Sequence, residues 1–183
     1  MLPDAHLEEQ MAMGSLRIEP EPEGRAIQPA SIDLRLAHEF AIPANPPAPG
    51  EYIDPRRGIE HKNPELKTIQ AASYMLAPLT FCLARTIERV TLGVALAARV
   101  EGKSTLGRFG LAIHATAGFI DPGFSGHITL ELFNFTQYPI KLTAEMPICQ
   151  LAVQRMDCPP RRPYGHPELG SHYQGQTGVT PPR

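Results

Sequence analysis

Apolar and polar positions alternate in short blocks along most of this 183-residue chain. Ile32-Asp33-Leu34-Arg35-Leu36 alternates strictly, the pattern of a strand with one buried face. Ser15-Leu16-Arg17-Ile18 reads as an earlier strand, with a turn-rich segment from Pro20 to Gly24 after it. From Tyr74 to Val100 short apolar runs recur, punctuated by Pro78, Glu88-Arg89 and Gly93, and read as successive strands with tight connections. Strands are also expected over 110–115 and 127–133, separated by the turn Asp121-Pro122-Gly123, and then over 140–142 and 148–153. Helical spacing is confined to the start: Asp4 is placed to cap a short helix with Leu7 and Met11 on one face and Gly14 as its stop. The stretch from Pro43 to Pro64, rich in Pro, Gly and charge, reads as a long loop or insertion. Many short strands at close spacing predict an all-β fold with a few short helices, a barrel or sandwich such as a jelly roll.

Composition sharpens this in three ways. Proline occurs 20 times, roughly twice its usual share, which favours loops and short strands over long helices. The composition changes after Met156, dividing the chain into a β domain over 1–158 and a tail over 159–183. That tail has too few bulky apolar groups for a core of its own, so it is either a disordered end or an arm that orders over a ligand or a neighbouring subunit. The formal net charge of −2 offers no basic field for a nucleic-acid polymer, and no apolar run reaches the ~20 residues that span a bilayer. The first residues lack a basic end and an apolar stretch, so no signal peptide is expected. Three scattered cysteines, Cys82, Cys149 and Cys158, fit free thiols in a reducing cytoplasm better than a disulfide framework.

Candidate chemistry is densest between Glu101 and Leu132. Lys103, Ser104, Thr105 and Arg108, with Leu106 and Gly107 among them and Gly102 beside them, form a natural cradle for phosphate oxygens or a plain polar turn between strands. The layout of a P-loop is absent, so that reading is refused. In Thr129-Leu130-Glu131-Leu132, alternation sets Glu131 on the face opposite Leu130. It is either a solvated acid or a carboxylate turned into a pocket as a general base. Asp121 is ordinary turn chemistry by default, and His114 is by default a hydrogen-bonded core histidine.

GKSTLGR, then HATAGFIDPGFSGHITLEL, then PYG and GSHYQGQTG, together with QPASIDLRL near the start, resemble the dCTP deaminase family, and most of all its bifunctional, dUMP-forming branch. The resemblance covers most of the chain and is weakest between Pro43 and Pro64. It implies a distorted jelly-roll β-barrel of the dUTPase-like type, assembled as a homotrimer with active sites between subunits. By position, Lys103 to Arg108 fall on the phosphate- and base-contacting segment, and Asp121 on the sugar-contacting acid. Thr129, Leu130 and Glu131 fall beside the base, with Glu131 on the catalytic carboxylate. Gln150, Tyr164 and Gln176 match further nucleotide contacts, the last two on a tail that closes over the nucleotide. His172 stands where close relatives carry a phosphate-meeting lysine, and neutral imidazole is a weaker phosphate partner than ammonium. Lys103 stands where some members carry Arg, keeping the charge without the bidentate fork.

The reaction implied is hydrolytic deamination of dCTP, with Glu131 as base and Ser104 and Arg108 positioning the water and the carboxylate. Mg²⁺ is expected only through the triphosphate. Zinc is not expected, since zinc deaminases need H-x-E and P-C-x-x-C and no two cysteines here are that close. Bifunctional members have Gly after a Thr-Ala pair where deaminase-only members carry a bulky residue. Thr116-Ala117-Gly118 therefore favours diphosphate release to dUMP, with room for a second water at Gly118. The alternatives are a deaminase that stops at dUTP, a dUTPase without deamination, and a non-catalytic nucleotide- or protein-binding trimer. Inhibition by dTTP is common in such families.

Overall fold

A computed structural model describes residues 1–45, 49–50, 52–53 and 65–182. Most of the proline-rich 43–64 segment, residues 46–48, 51 and 54–64, lies outside the described residues. The elements are α1 (Asp4–Ala12), β1 (Leu16–Glu19), β2 (Ile27–Gln28), β3 (Ser31–Pro43), β4 (Leu66–Gln70), β5 (Ser73–Leu76), β6 (Phe81–Leu92), β7 (Leu96–Gly102), α2 (Ser104–Arg108), β8 (Leu111–Ala112), β9 (Phe119–Ile120), β10 (Ser125–Asn134), β11 (Ile140–Thr143) and β12 (Pro147–Arg155). Ten strands form one curled sheet in the order β8-β10-β6-β3-β12-β7-β9, with β1 on β6 and β2 and β4 on β3. Strands β5 and β11 make a separate pair. Every pairing is antiparallel. The fold is mostly β, as the alternation predicts.

Strand β3 shows why. Ile32, Leu34, Leu36 and Phe40 are fully buried, while Asp33, Arg35 and Glu39 between them keep part of their surface. Its partner β6 contributes Cys82, Ala84, Val90 and Leu92 to the same core, and β10 contributes Ile128, Leu130 and Leu132. Each such leucine withdrawn from water contributes about 2 kcal/mol of driving force. Burial pushes the Cys82 thiol up to about 12 and raises Cys149 too, so both sit in the core as small neutral groups.

Three local expectations need correction. Pro3 is the N-cap of α1 and Asp4 is its first helical residue, where the carboxylate suits the positive end of the helix. Gly14 does follow the helix end, with φ of 73°. Glu88-Arg89 does not punctuate anything: β6 runs straight through it, and Glu88 is 3% exposed because Arg35 Nε lies 2.7 Å from its Oε1 and the Arg35 N–H donates to Oε2 at 2.8 Å. The expected strand over 110–115 shrinks to Leu111–Ala112. Gly110 turns the chain there at φ 79°, and Thr136 packs where a side chain would be. No helix among the described residues is long and apolar enough to cross a membrane.

Candidate active site

Strand β10 carries the first half of the site. Its alternation buries Ile128, Leu130 and Leu132 and leaves His127, Thr129 and Glu131 half-exposed on the other face. Leu130 therefore offers a ligand only its backbone. The ladder with β6 is irregular between His127 and Thr129, and the Ile128 N–H donates to Thr86 Oγ1 at 3.1 Å. Such a bulge re-aims the side chains next to it. Glu131 is held from two sides: its N–H donates to the Ile113 carbonyl at 3.1 Å, and its Oε2 accepts from the Ala115 N–H at 2.8 Å. One carboxylate oxygen is thus oriented by backbone, and the other is left to water or substrate.

The tail lies across this face of its own chain. The Tyr164 N–H donates to the Pro122 carbonyl at 2.8 Å, and the Tyr164 ring packs 5.8 Å from Phe124. This brings Tyr164 to the exposed Asp121 turn. Tyr164 Oη accepts from the Tyr173 N–H at 3.1 Å, and the His172 and Tyr173 rings lie 6.1 Å apart. The His127 N–H donates to the Gln176 carbonyl at 3.1 Å, and Gln176 Nε2 donates back to the His127 carbonyl. Close seating needs glycine here: a Cβ on Gly126 would stand 3.1 Å from Gln176 Cγ, and one on Gly123 would stand 3.0 Å from Pro163 Cβ.

A second group forms where β7 runs into α2. Lys103 Nζ lies 2.6 Å from Asp33 Oδ2, so a residue read as a phosphate cation is already paired with a carboxylate from β3. Gln150, opposite Asp33 on β12, accepts from Ser31 Oγ at 3.3 Å and donates to the Gly102 carbonyl at 3.4 Å. Ser104, Thr105, Gly107 and Arg108 are exposed on the single turn of α2, while Leu106 packs on the core. Among the described residues, no hydrogen bond joins this group to Glu131.

Among the described residues, three buried side-chain polar atoms have no hydrogen-bond partner within the chain: Asp33 Oδ1, His114 Nδ1 and Gln176 Oε1. Buried polar atoms of this kind normally find a partner in protein, water or ligand. His114 is accordingly neither fully buried nor satisfied at Nδ1. Its ring abuts Gly118, where a Cβ would lie 2.8 Å from the Val100 carbonyl oxygen and 3.2 Å from the imidazole. A side chain at position 118 would therefore meet the Val100 carbonyl and the His114 ring first. Asp33, His114 and His127 lie within the motifs that carry the resemblance, but the sequence assigns no role to Asp33 or His127 and makes His114 a core residue, because their surroundings are set by groups elsewhere in the chain.

Comparisons with known proteins bear on the family and the fold. A family profile described as dCTP deaminase-like matches residues 1–156. A dUMP-forming dCTP deaminase of Corynebacterium glutamicum (strain R) is 44% identical over 181 residues, covering 99% of this chain and 94% of the relative. Among solved structures, 2'-deoxycytidine 5'-triphosphate deaminase from Agrobacterium tumefaciens superposes with a TM-score of 0.65 at 21% identity, over 85% of this chain. The match takes in 47% of that longer chain. The EIAV dUTPase superposes with a TM-score of 0.51 at 18% identity, over 84% of this chain and 99% of its own. Both share the curled jelly-roll fold. The chain belongs to the dCTP deaminase-like family.

Proposed function

We propose that this protein deaminates dCTP and releases diphosphate, forming dUMP, ammonia and diphosphate. The observation that carries the reading is Glu131: a half-buried carboxylate, fixed at one oxygen by the Ala115 N–H, on the same strand face as Thr129, which the tail reaches through the Thr180 N–H. In the first step Glu131 takes a proton from water and the hydroxide bonds to C4 of the cytosine. The proton passes to N3, the proton of the new C4 hydroxyl moves through Glu131 to the exocyclic nitrogen, and the C4–N bond breaks so that ammonia leaves and C4 becomes a carbonyl. A second water then attacks the α-phosphorus and the diphosphate departs. The similarity to dUMP-forming relatives over nearly the whole chain supports this outcome over one that ends at dUTP.

The division of the site into two groups supports a homotrimer in which Ser104 and Arg108 of one subunit face Glu131 of another. Lys103, Thr105 and Gln150 then meet the phosphates and base from that side, and Asp121, Tyr164, His172 and Gln176 from the other. Among the described residues no cluster of three or more acidic, His or Cys side chains offers a metal cage. On this reading magnesium would come with the triphosphate, held by phosphate oxygens and water. A cytoplasmic location and inhibition by dTTP belong to the same reading. The test is product analysis with dCTP and Mg²⁺ alongside Glu131→Gln. Wild type is expected to give dUMP without accumulating dUTP, and the variant to lose ~10²–10⁴-fold in ammonia release while still binding nucleotide. Ammonia released by Glu131→Gln at the wild-type rate would remove Glu131 as the base.

A further inference from the structure

The last residues of the tail do more than follow Gln176. Val179 is 8% exposed, in a small apolar cluster with Ala41 of β3 and Leu83 of β6, apart from the main core. Its N–H donates to Glu39 Oε1 at 2.9 Å. Glu39 Oε2 in turn lies 2.9 Å from Arg85 Nε, and Arg85 Nη1 donates to the Thr86 carbonyl at 3.0 Å. Glu39 and Arg85 are largely shielded, with 14% and 21% of their side chains exposed. Gly178 admits this carboxylate closely: a Cβ there would stand 3.1 Å from Glu39 Oε1. One residue on, the Thr180 N–H reaches Thr129 Oγ1 at 3.5 Å. Arg85 is the cross-strand neighbour of Thr129, so anchor and candidate site share one rung of the sheet.

We infer that Val179, Glu39 and Arg85 are positioning residues: they form a socket that holds the tail closed along β10, so that Gln176 and Thr129 are set for substrate. None of the three touches substrate. The socket is supplied by the same chain as the tail, and an exposed, Pro- and Gly-rich segment is thereby held at its far end by one buried side chain and one charge-assisted hydrogen bond. The inference rests on the reading of Thr129 and Gln176 as nucleotide contacts, and the experiment separates the two.

Hydrogen exchange of residues 174–180 is compared in full-length wild type, Val179→Ser, Val179→Ile and Glu39→Gln, and the steady-state kinetics with dCTP are measured on the same proteins. Protection of 174–180 is expected in free wild type, lost in Val179→Ser and Glu39→Gln and restored in Val179→Ile. KM for dCTP is expected to rise about tenfold in Val179→Ser with kcat little changed, the effect of one buried Val side chain spent on holding the tail. A general structural defect would lower kcat and exchange protection across the barrel together. Exchange of 174–180 that is equally fast in wild type and Val179→Ser, or an unchanged KM, overturns the socket. If dCTP is not turned over at all, the functional reading fails and the exchange data still decide whether the socket holds the tail.

Discussion

At Gly118 the backbone passes so close to β7 that its carbonyl accepts from the Val100 N–H at 2.7 Å. A valine there must displace either that strand or the His114 ring, and a strand in a ten-stranded sheet yields less readily than an imidazole with an unpartnered nitrogen. Gly118→Val is expected to swing His114 and slow diphosphate release about tenfold or more, so that dUTP appears during dCTP turnover. Chromatography of the nucleotide products decides it; dUMP as sole product would free Gly118 of that role. His127 makes a second prediction. Burial, together with the charges of Arg85 and Arg89, holds its imidazole below the ordinary 6.5, while Glu39 is held below 4.5 because the Arg85 and Val179 hydrogen bonds outweigh its burial. Both groups bind fewer protons folded than unfolded, so their stability is present at neutral pH and is lost as pH falls, for His127 from about 6.5 downward and for Glu39 from about 4.5 downward. Thermal melts of wild type and His127→Gln from pH 7.5 to 5 should therefore converge as pH drops; a constant gap would exclude His127.

Among the elements, β3 and β6 are joined by Arg35–Glu88 as well as by backbone. The two partners are not equivalent: the Glu88 side chain is 4% exposed and that of Arg35 is 42% exposed. Removing Arg35 strands a carboxylate in the core, whereas removing Glu88 leaves a cation that water reaches. Arg35→Met is therefore expected to cost about 3 kcal/mol or more and Glu88→Gln about 1–2 kcal/mol. Urea midpoints measure both; equal losses would mean the burial difference does not decide the energetics. The strand pattern of β10 and of the first half of β3 was legible because one face of each is buried and the period is two. The extension of β6 through Glu88 was not, because a buried carboxylate reads as a turn until its partner, 53 residues earlier, is known.

For the whole molecule, the grouping of Glu131 with the tail and of Lys103–Arg108 with Asp33 makes a prediction about assembly. If each site draws Glu131 from one subunit and Ser104 and Arg108 from its neighbour, two inactive variants complement each other. Glu131→Gln refolded with an equal amount of Arg108→Ala should recover about a quarter of wild-type deamination by random mixing. No recovery would place both groups of one site in the same chain.

What the sequence determined by itself was set by local physics. Period-two alternation and proline-rich breaks specified an all-β fold, and the run from Lys103 to Glu131 specified the types of group available to the chemistry. The tertiary structure decided what each group meets. It paired Lys103 with Asp33, buried His114 Nδ1 and Asp33 Oδ1, set Gly118 against Val100 and His114 and seated Val179 beside Glu39. These are contacts between residues far apart in the chain, and propensity and spacing describe only neighbours. Whether a carboxylate is solvated, paired or held for a substrate depends on the groups that long-range pairing of strands brings against it.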